Sequence, residues 1–102
     1  MTDRPDAPPL QTRLVRVHGR VQGVGYRWSC VQLARALGVT GWVRNRMDET
    51  VEAMLQGTPT QLDAMIDQMR EDIPSALVER MDVGEVAAPF PRFDRFEQRP
   101  TE

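Results

Sequence analysis

Val17-His18-Gly19-Arg20-Val21-Gln22-Gly23-Val24-Gly25-Tyr26-Arg27 leads from an alternating apolar segment, through closely spaced glycines, to an arginine at the start of a helical pattern. A strand that turns into a helix at a glycine loop is the unit from which the fold is read. Glycine reaches positive φ and brings backbone close to a ligand with no Cβ in the way, so Gly19, Gly23 and Gly25 can aim several N–H groups at one point. The first turn of the helix adds unpaired N–H donors and the positive end of the helix dipole. The stretch therefore describes a socket for a small anion, phosphate first, with Arg27 as a planar, permanently charged, bidentate grip. A purely structural loop accounts for the glycines. It does not account for a cation in the first helical turn, which opposes the dipole unless an anion lies beside it.

Upstream, Thr12 to His18 alternates, with Val15 and Val17 on one face and Arg16 and His18 on the other, as a β-strand requires. Residues 1–11 contain three prolines and no periodic pattern and are expected to form a flexible tail. Downstream, Cys30, Leu33, Ala34 and Leu37 recur at helical spacing, and Gly38 stands where a C-terminal cap belongs. Val39 to Arg46 is expected as a strand, Met47-Asp48-Glu49 as a turn, and Thr50 to Gln56 as a second strand with Val51, Ala53 and Leu55 inward. Thr58-Pro59-Thr60-Gln61 has the signature of a capping box with proline at the first helical position. It opens a helix whose core stripe is Leu62, Met65, Ile66, Met69 and Ile73. After the break at Pro74 and Ser75, Leu77 to Val86 is a strand in which Val78 is out of phase with Met81 and Val83, the mark of a β-bulge. A short edge strand lies around Phe93 to Gln98. The order β-α-β-β-α-β plus a short strand predicts an α+β, ferredoxin-like split βαβ fold: an antiparallel sheet with two helices on one face. The domain is expected to span residues 12–98, with 99–102 as a C-terminal tail.

A chain of 102 residues has room for one core, burying roughly 60 to 70% of its unfolded-chain surface. No apolar run approaches the ~18 residues of a membrane span, and Met1 to Gln11 lacks the apolar region of a signal peptide. A soluble, cytoplasmic monomer with no membrane partner is expected. One cysteine, Cys30, and one histidine, His18, make neither an internal disulfide nor a zinc site, so metal dependence on soft ligands is not expected. Cys30 lies on the apolar helical stripe and reads as a small buried hydrophobe rather than a nucleophile. A net charge of −2 argues against a nucleic-acid partner, since phosphate-backbone affinity comes from many cations. The charge is unevenly spread: residues 1–46 carry eight arginines and two acids, residues 47–102 five arginines and thirteen acids. This asymmetry would focus anions on one face if the arginines cluster in space.

Nucleotide readings of the loop fail on spacing. A Walker loop needs Lys-Ser or Lys-Thr after its last glycine, where Tyr26-Arg27 stands, and a dinucleotide fingerprint needs a third glycine where Trp28 stands. RNA-binding modules on this fold stack bases on central-strand aromatics, and the first strand has none.

Gly19 to Arg27, followed by Ala34-x-x-Leu37-Gly38-Val39-x-Gly41-Trp42-Val43-Arg44-Asn45 and by Val51-Glu52, closely resembles the acylphosphatase family. The likeness runs from about Thr12 to Gln98. It implies the same split βαβ fold and hydrolysis of the carboxyl-phosphate bond of acyl phosphates without metal or organic cofactor. By that pattern the backbone N–H groups of Gly19, Arg20, Val21, Gln22, Gly23, Val24 and Gly25 cradle the phosphoryl oxygens. Arg27 matches the phosphate-binding arginine and Asn45 the asparagine that holds the attacking water. The chemistry suits such a site: the leaving group is a carboxylate with a reference pKa near ~4, so no general acid is needed. Phosphoryl transfer through a loose transition state asks mainly for positioning and charge stabilisation. His18 is expected to border the loop without catalysing, Tyr26 and Trp42 to pack, and Gln22 to fix the loop through its amide. The family commonly has Asp-Gly where this chain has Asp48-Glu49, so the hairpin must use another turn type unless Glu49 accepts strain. It also commonly has phenylalanine where Tyr26 brings a hydroxyl in need of a partner. The competing reading is a non-catalytic anion- or partner-binding module of the same fold.

Overall fold

The computed structural model describes residues 9–102, so most of the expected N-terminal tail lies outside the described residues. The elements run β1 (Gln11–Arg20), α1 (Tyr26–Leu37), β2 (Thr40–Asn45), β3 (Val51–Gly57), α2 (Pro59–Glu71), β4 (Leu77–Glu85) and β5 (Phe96–Arg99). They form one five-stranded sheet in the order β4-β1-β3-β2-β5. The four strands of the split βαβ unit pair antiparallel, as expected. The short last strand pairs parallel to β2, which makes the sheet mixed. Because β4 and β5 are opposite edges, residues 86–95 must cross the whole sheet. The buried amide of Gln56 pins that crossing: its Nε2 donates to the Pro91 carbonyl at 2.7 Å and to Thr12 Oγ1 at 3.0 Å, and its Oε1 accepts from Phe93 N–H at 3.0 Å. A buried amide with each end paired stabilises where an unpaired one would cost.

Period-2 alternation sorts the sheet into two faces. Val15, Val17, Val43, Val51, Ala53 and Leu55 are buried on the helix side, against Cys30, Ala34, Leu62, Met65 and Met69. Each buried Val, Leu or Met among them contributes about 1.5 to 3 kcal/mol by leaving water. The opposite, open face carries Trp42, Arg44, Glu52, Arg16 and His18, paired across the strands. In α1 the buried line is Tyr26, Cys30, Val31 and Ala34, with Leu33 and Leu37 packed partly buried beside it. The helix begins one residue earlier than expected and turns its stripe toward Tyr26, whose hydroxyl donates to the Met69 carbonyl at 2.8 Å. Gly38 caps α1 at φ 78°. The capping box of α2 is present in full: Gln61 N–H donates to Thr58 Oγ1 at 3.2 Å, and Thr58 N–H to Gln61 Oε1 at 2.8 Å. In β4 the register slips opposite His18 and Gly19, leaving Glu79 unpaired in a bulge. That extra residue lets Val78 and Met81 both pack on the core.

Candidate active site

β1 and β2 are each antiparallel to β3, so both point the same way and end at the same rim of the sheet, on either side of β3. The loop Val21–Gly25 leaves β1 at that rim and enters α1. Asn45, the last residue of β2, pairs with the core residue Val51 and so belongs to the helix face, at the end where α1 starts. Between them is a cavity of about 140 Å³ lined by Val21, Gly23, Gly25, Arg27, Asn45 and Gln98, with Tyr26 at its base and Trp28 at its edge. At ~30 Å³ per water, it has room for a phosphoryl group with a water beside it.

The glycines divide into two kinds. A Cβ on Gly19 would collide with the Leu77 carbonyl, so Gly19 serves the close approach of β4 at the bulge. Gly23 and Gly25 adopt φ 74° and 78°, and a Cβ on either would meet no atom. Their left-handed conformation shapes the loop while keeping its concave side open. Of the residues expected to cradle phosphate, Gly19 and Arg20 are the paired end of β1, and Val21 to Gly25 form the free loop. Gln22 turns its side chain away from the cavity and braces the loop against the hairpin: Nε2 donates to the carbonyls of Arg46 and Thr50, each at 2.9 Å. One amide thus ties the loop to the segment that carries Asn45.

The electrostatics of the cavity are those of an anion site. α1 has Gly25 at its N-cap with no side-chain cap and no acid in its first turn, which leaves its N–H donors and its dipole uncompensated. Arg27 makes no ion pair among the described residues, and no acid lines the cavity. Asn45 Oδ1 is buried without a hydrogen-bond partner among the described residues. A buried acceptor left unpaired costs about 1 to 3 kcal/mol, a cost that a bound water or ligand removes.

The hairpin turn shows how the chain manages without the Asp-Gly pair. Glu49 adopts φ 74°, the conformation glycine would take. Asp48 Oδ1 secures it, accepting from the Thr50 hydroxyl at 2.6 Å and from Thr50 N–H at 3.1 Å. Those hydrogen bonds, helped by Arg16 and Arg46, hold the Asp48 carboxyl below its usual pKa. Burial pushes the Cys30 thiol and the Tyr26 phenol well above their ordinary values, so both stay neutral and inert.

A larger groove, about 630 Å³, lies on the open face among Leu14, Arg16, His18, Glu52, Arg80 and Asp82. Its cations are already matched: Asp82 Oδ2 lies 3.0 Å from His18 Nε2 and 3.3 Å from Arg80, and Glu52 pairs with Arg16, Arg44 and Arg46. The arginine-rich first half of the chain therefore does not form one cationic face. Arg13, Arg16 and Arg44 stand across from Glu85, Asp82 and Glu52 of β3 and β4. His18 is in this groove, away from the glycine cavity. Trp42 packs between Arg44 and Arg99, 4.8 and 5.1 Å from its ring centroid. Gln98 and Trp28, which line the glycine cavity, were not marked by the sequence: each reaches it through tertiary placement.

The acylphosphatase family model matches residues 13–98. The chain belongs to the acylphosphatase family. It is 72% identical over 96 residues to acylphosphatase 1 of Ralstonia nicotianae, covering 94% of each chain. It is 53% identical over 87 residues to an acylphosphatase of Polaromonas naphthalenivorans, covering 85% of this chain and 86% of that one. Among solved structures, acylphosphatase from Bacillus subtilis superposes with a TM-score of 0.81 at 32% identity, over 89% of this chain and 99% of that one. The acylphosphatase fold is thus shared at a level where the sequence pattern and the strand order agree.

Proposed function

We propose that the acylphosphatase activity of this chain resides in the cavity between Val21–Arg27 and Asn45, and that it proceeds by attack of water on phosphorus. The amides of the loop and of the first turn of α1 receive the phosphoryl oxygens, and Arg27 grips two of them through its guanidinium. Asn45 Oδ1 accepts a hydrogen bond from the water and aims its lone pair at phosphorus. As the new P–O bond forms, the bond to the carboxyl oxygen breaks, and the carboxylate leaves without needing a proton. The negative charge spread over the phosphoryl oxygens is met by donors already in place, the source of most electrostatic catalysis. The observation that carries this reading is the convergence, in one acid-free cavity, of an unpaired arginine, an uncapped helix start and a buried acceptor without a partner.

The substrate is a small molecule. Among the described residues no helix is long and apolar enough to cross a membrane, and the net charge of −2 supports action without a nucleic-acid partner. The charge stabilisation comes from Arg27 and backbone amides, which supports turnover without metal. Phosphate release from benzoyl phosphate by the purified protein in excess chelator tests the assignment. Turnover at the unchelated rate is expected. No turnover by the folded protein would favour a binding module, and chelator-sensitive turnover would contradict the proposed chemistry.

A further inference from the structure

Trp28 is 65% exposed, which leaves its indole free to meet a ligand. It is the third residue of α1, and it lines the glycine cavity on one side. On its other side it opens a second groove of about 400 Å³, walled by Leu33 and Ala36 of α1 and by Ile73 and Pro74 after α2. Residues 28, 29, 32, 33 and 36 fall on one helical face, so the groove runs along α1 directly away from the phosphoryl cavity. Its lining is chiefly apolar, the composition of a pocket for an uncharged organic group. Among the described residues Asp72 is the one ionisable group along it, and it opposes a second carboxylate there.

We infer that Trp28 and the groove behind it form the acyl subsite, selecting acyl phosphates whose acyl group is apolar and uncharged, aromatic ones above all. This rests on the assignment of the phosphoryl group to the glycine cavity. With phosphorus held by the loop and Arg27, the leaving carboxyl group points outward past the helix start, where the indole provides a flat face for it to stack on. A short acyl group such as acetyl stops at the rim and gains little from the groove. An anionic acyl group meets Asp72 with no cation to offset it.

The test is the ratio of kcat/KM for benzoyl phosphate to that for acetyl phosphate, measured in the wild type, Trp28→Ala and Trp28→Phe. Comparing ratios between variants cancels the intrinsic reactivity of the two anhydrides. Loss of one aromatic stacking partner is expected to lower the ratio roughly tenfold in Trp28→Ala, mainly through KM for benzoyl phosphate, and Trp28→Phe should keep it within about twofold. An unchanged ratio in Trp28→Ala, whatever the absolute rates, would overturn the subsite. So would a Trp28→Phe ratio as low as that of Trp28→Ala. Failure of the wild type to hydrolyse either compound is a different result, and overturns the hydrolase assignment together with this one.

Discussion

Arg27 and Asn45 line the same cavity, and the different roles proposed for them, on phosphate and on water, should be separable by substitution. Arg27→Ala removes the only side-chain cation that lines the cavity among the described residues, so both phosphate affinity and turnover are expected to collapse, read as the inhibition constant for inorganic phosphate and as kcat/KM. Asn45→Ala removes the water's acceptor. Turnover should fall by about 10²- to 10³-fold, the usual effect of deleting one preorganised partner, with phosphate inhibition changed little. Near-normal turnover in Asn45→Ala would contradict the water-holding role. That Arg27, Asn45, Gly23 and Gly25 line one cavity was foreshadowed by spacing and residue type for Arg27 and the glycines, and for Asn45 only by the family resemblance. Trp28 was not, since exposure is a property of packing. The brace made by Gln22 was foreseen only as a fixed loop, because its acceptors, the carbonyls of Arg46 and Thr50, lie in a hairpin that is remote in sequence.

At the scale of elements, the β2–β3 hairpin sets where Asn45 stands, and Glu49 is its strained point. A non-glycine residue in the left-handed region costs on the order of 1 kcal/mol, so Glu49→Gly should raise stability by up to about 1 kcal/mol, less the extra entropy glycine loses on folding. A denaturant midpoint that fell would show that the Glu49 side chain contributes more than its strain costs. Asp48 gives the same turn a pH dependence. Its pKa is depressed in the folded chain, so its contribution is present above the ordinary carboxylate range and is lost as pH falls through the lowered value. Asp48→Ala should therefore show a shallower loss of stability on acidification than the wild type, measured by denaturant midpoints across the acid range. Turn residues announced a hairpin at this place, but which residue bears the positive φ depends on the register of both strands. The face of α1 was likewise only partly legible. The leucines drew the stripe, whereas burial follows Tyr26, Cys30, Val31 and Ala34 because the Tyr26 hydroxyl is anchored to α2.

For the whole molecule, the strand order follows from alternation, caps and connection lengths, which is why the split βαβ arrangement could be read before any coordinates. The parallel placement of β5 could not, because it depends on the crossing of residues 86–95 that Gln56 pins in the buried interior. Gln56→Leu removes both ends of that tie and leaves the Phe93 N–H and Pro91 carbonyl unpaired, so a loss of about 2 to 4 kcal/mol is expected in equilibrium unfolding. The described residues form concave sites of different character, and the proposed function requires the glycine cavity, rather than the open-face groove, to be the anion site. Titration of ¹⁵N-labelled protein with inorganic phosphate decides this directly. The account predicts saturable amide shifts at Val21 to Trp28 and at the Asn45 side chain, with the open face silent. Shifts centred on His18, Arg80 and Asp82, with the glycine loop unmoved, would contradict it.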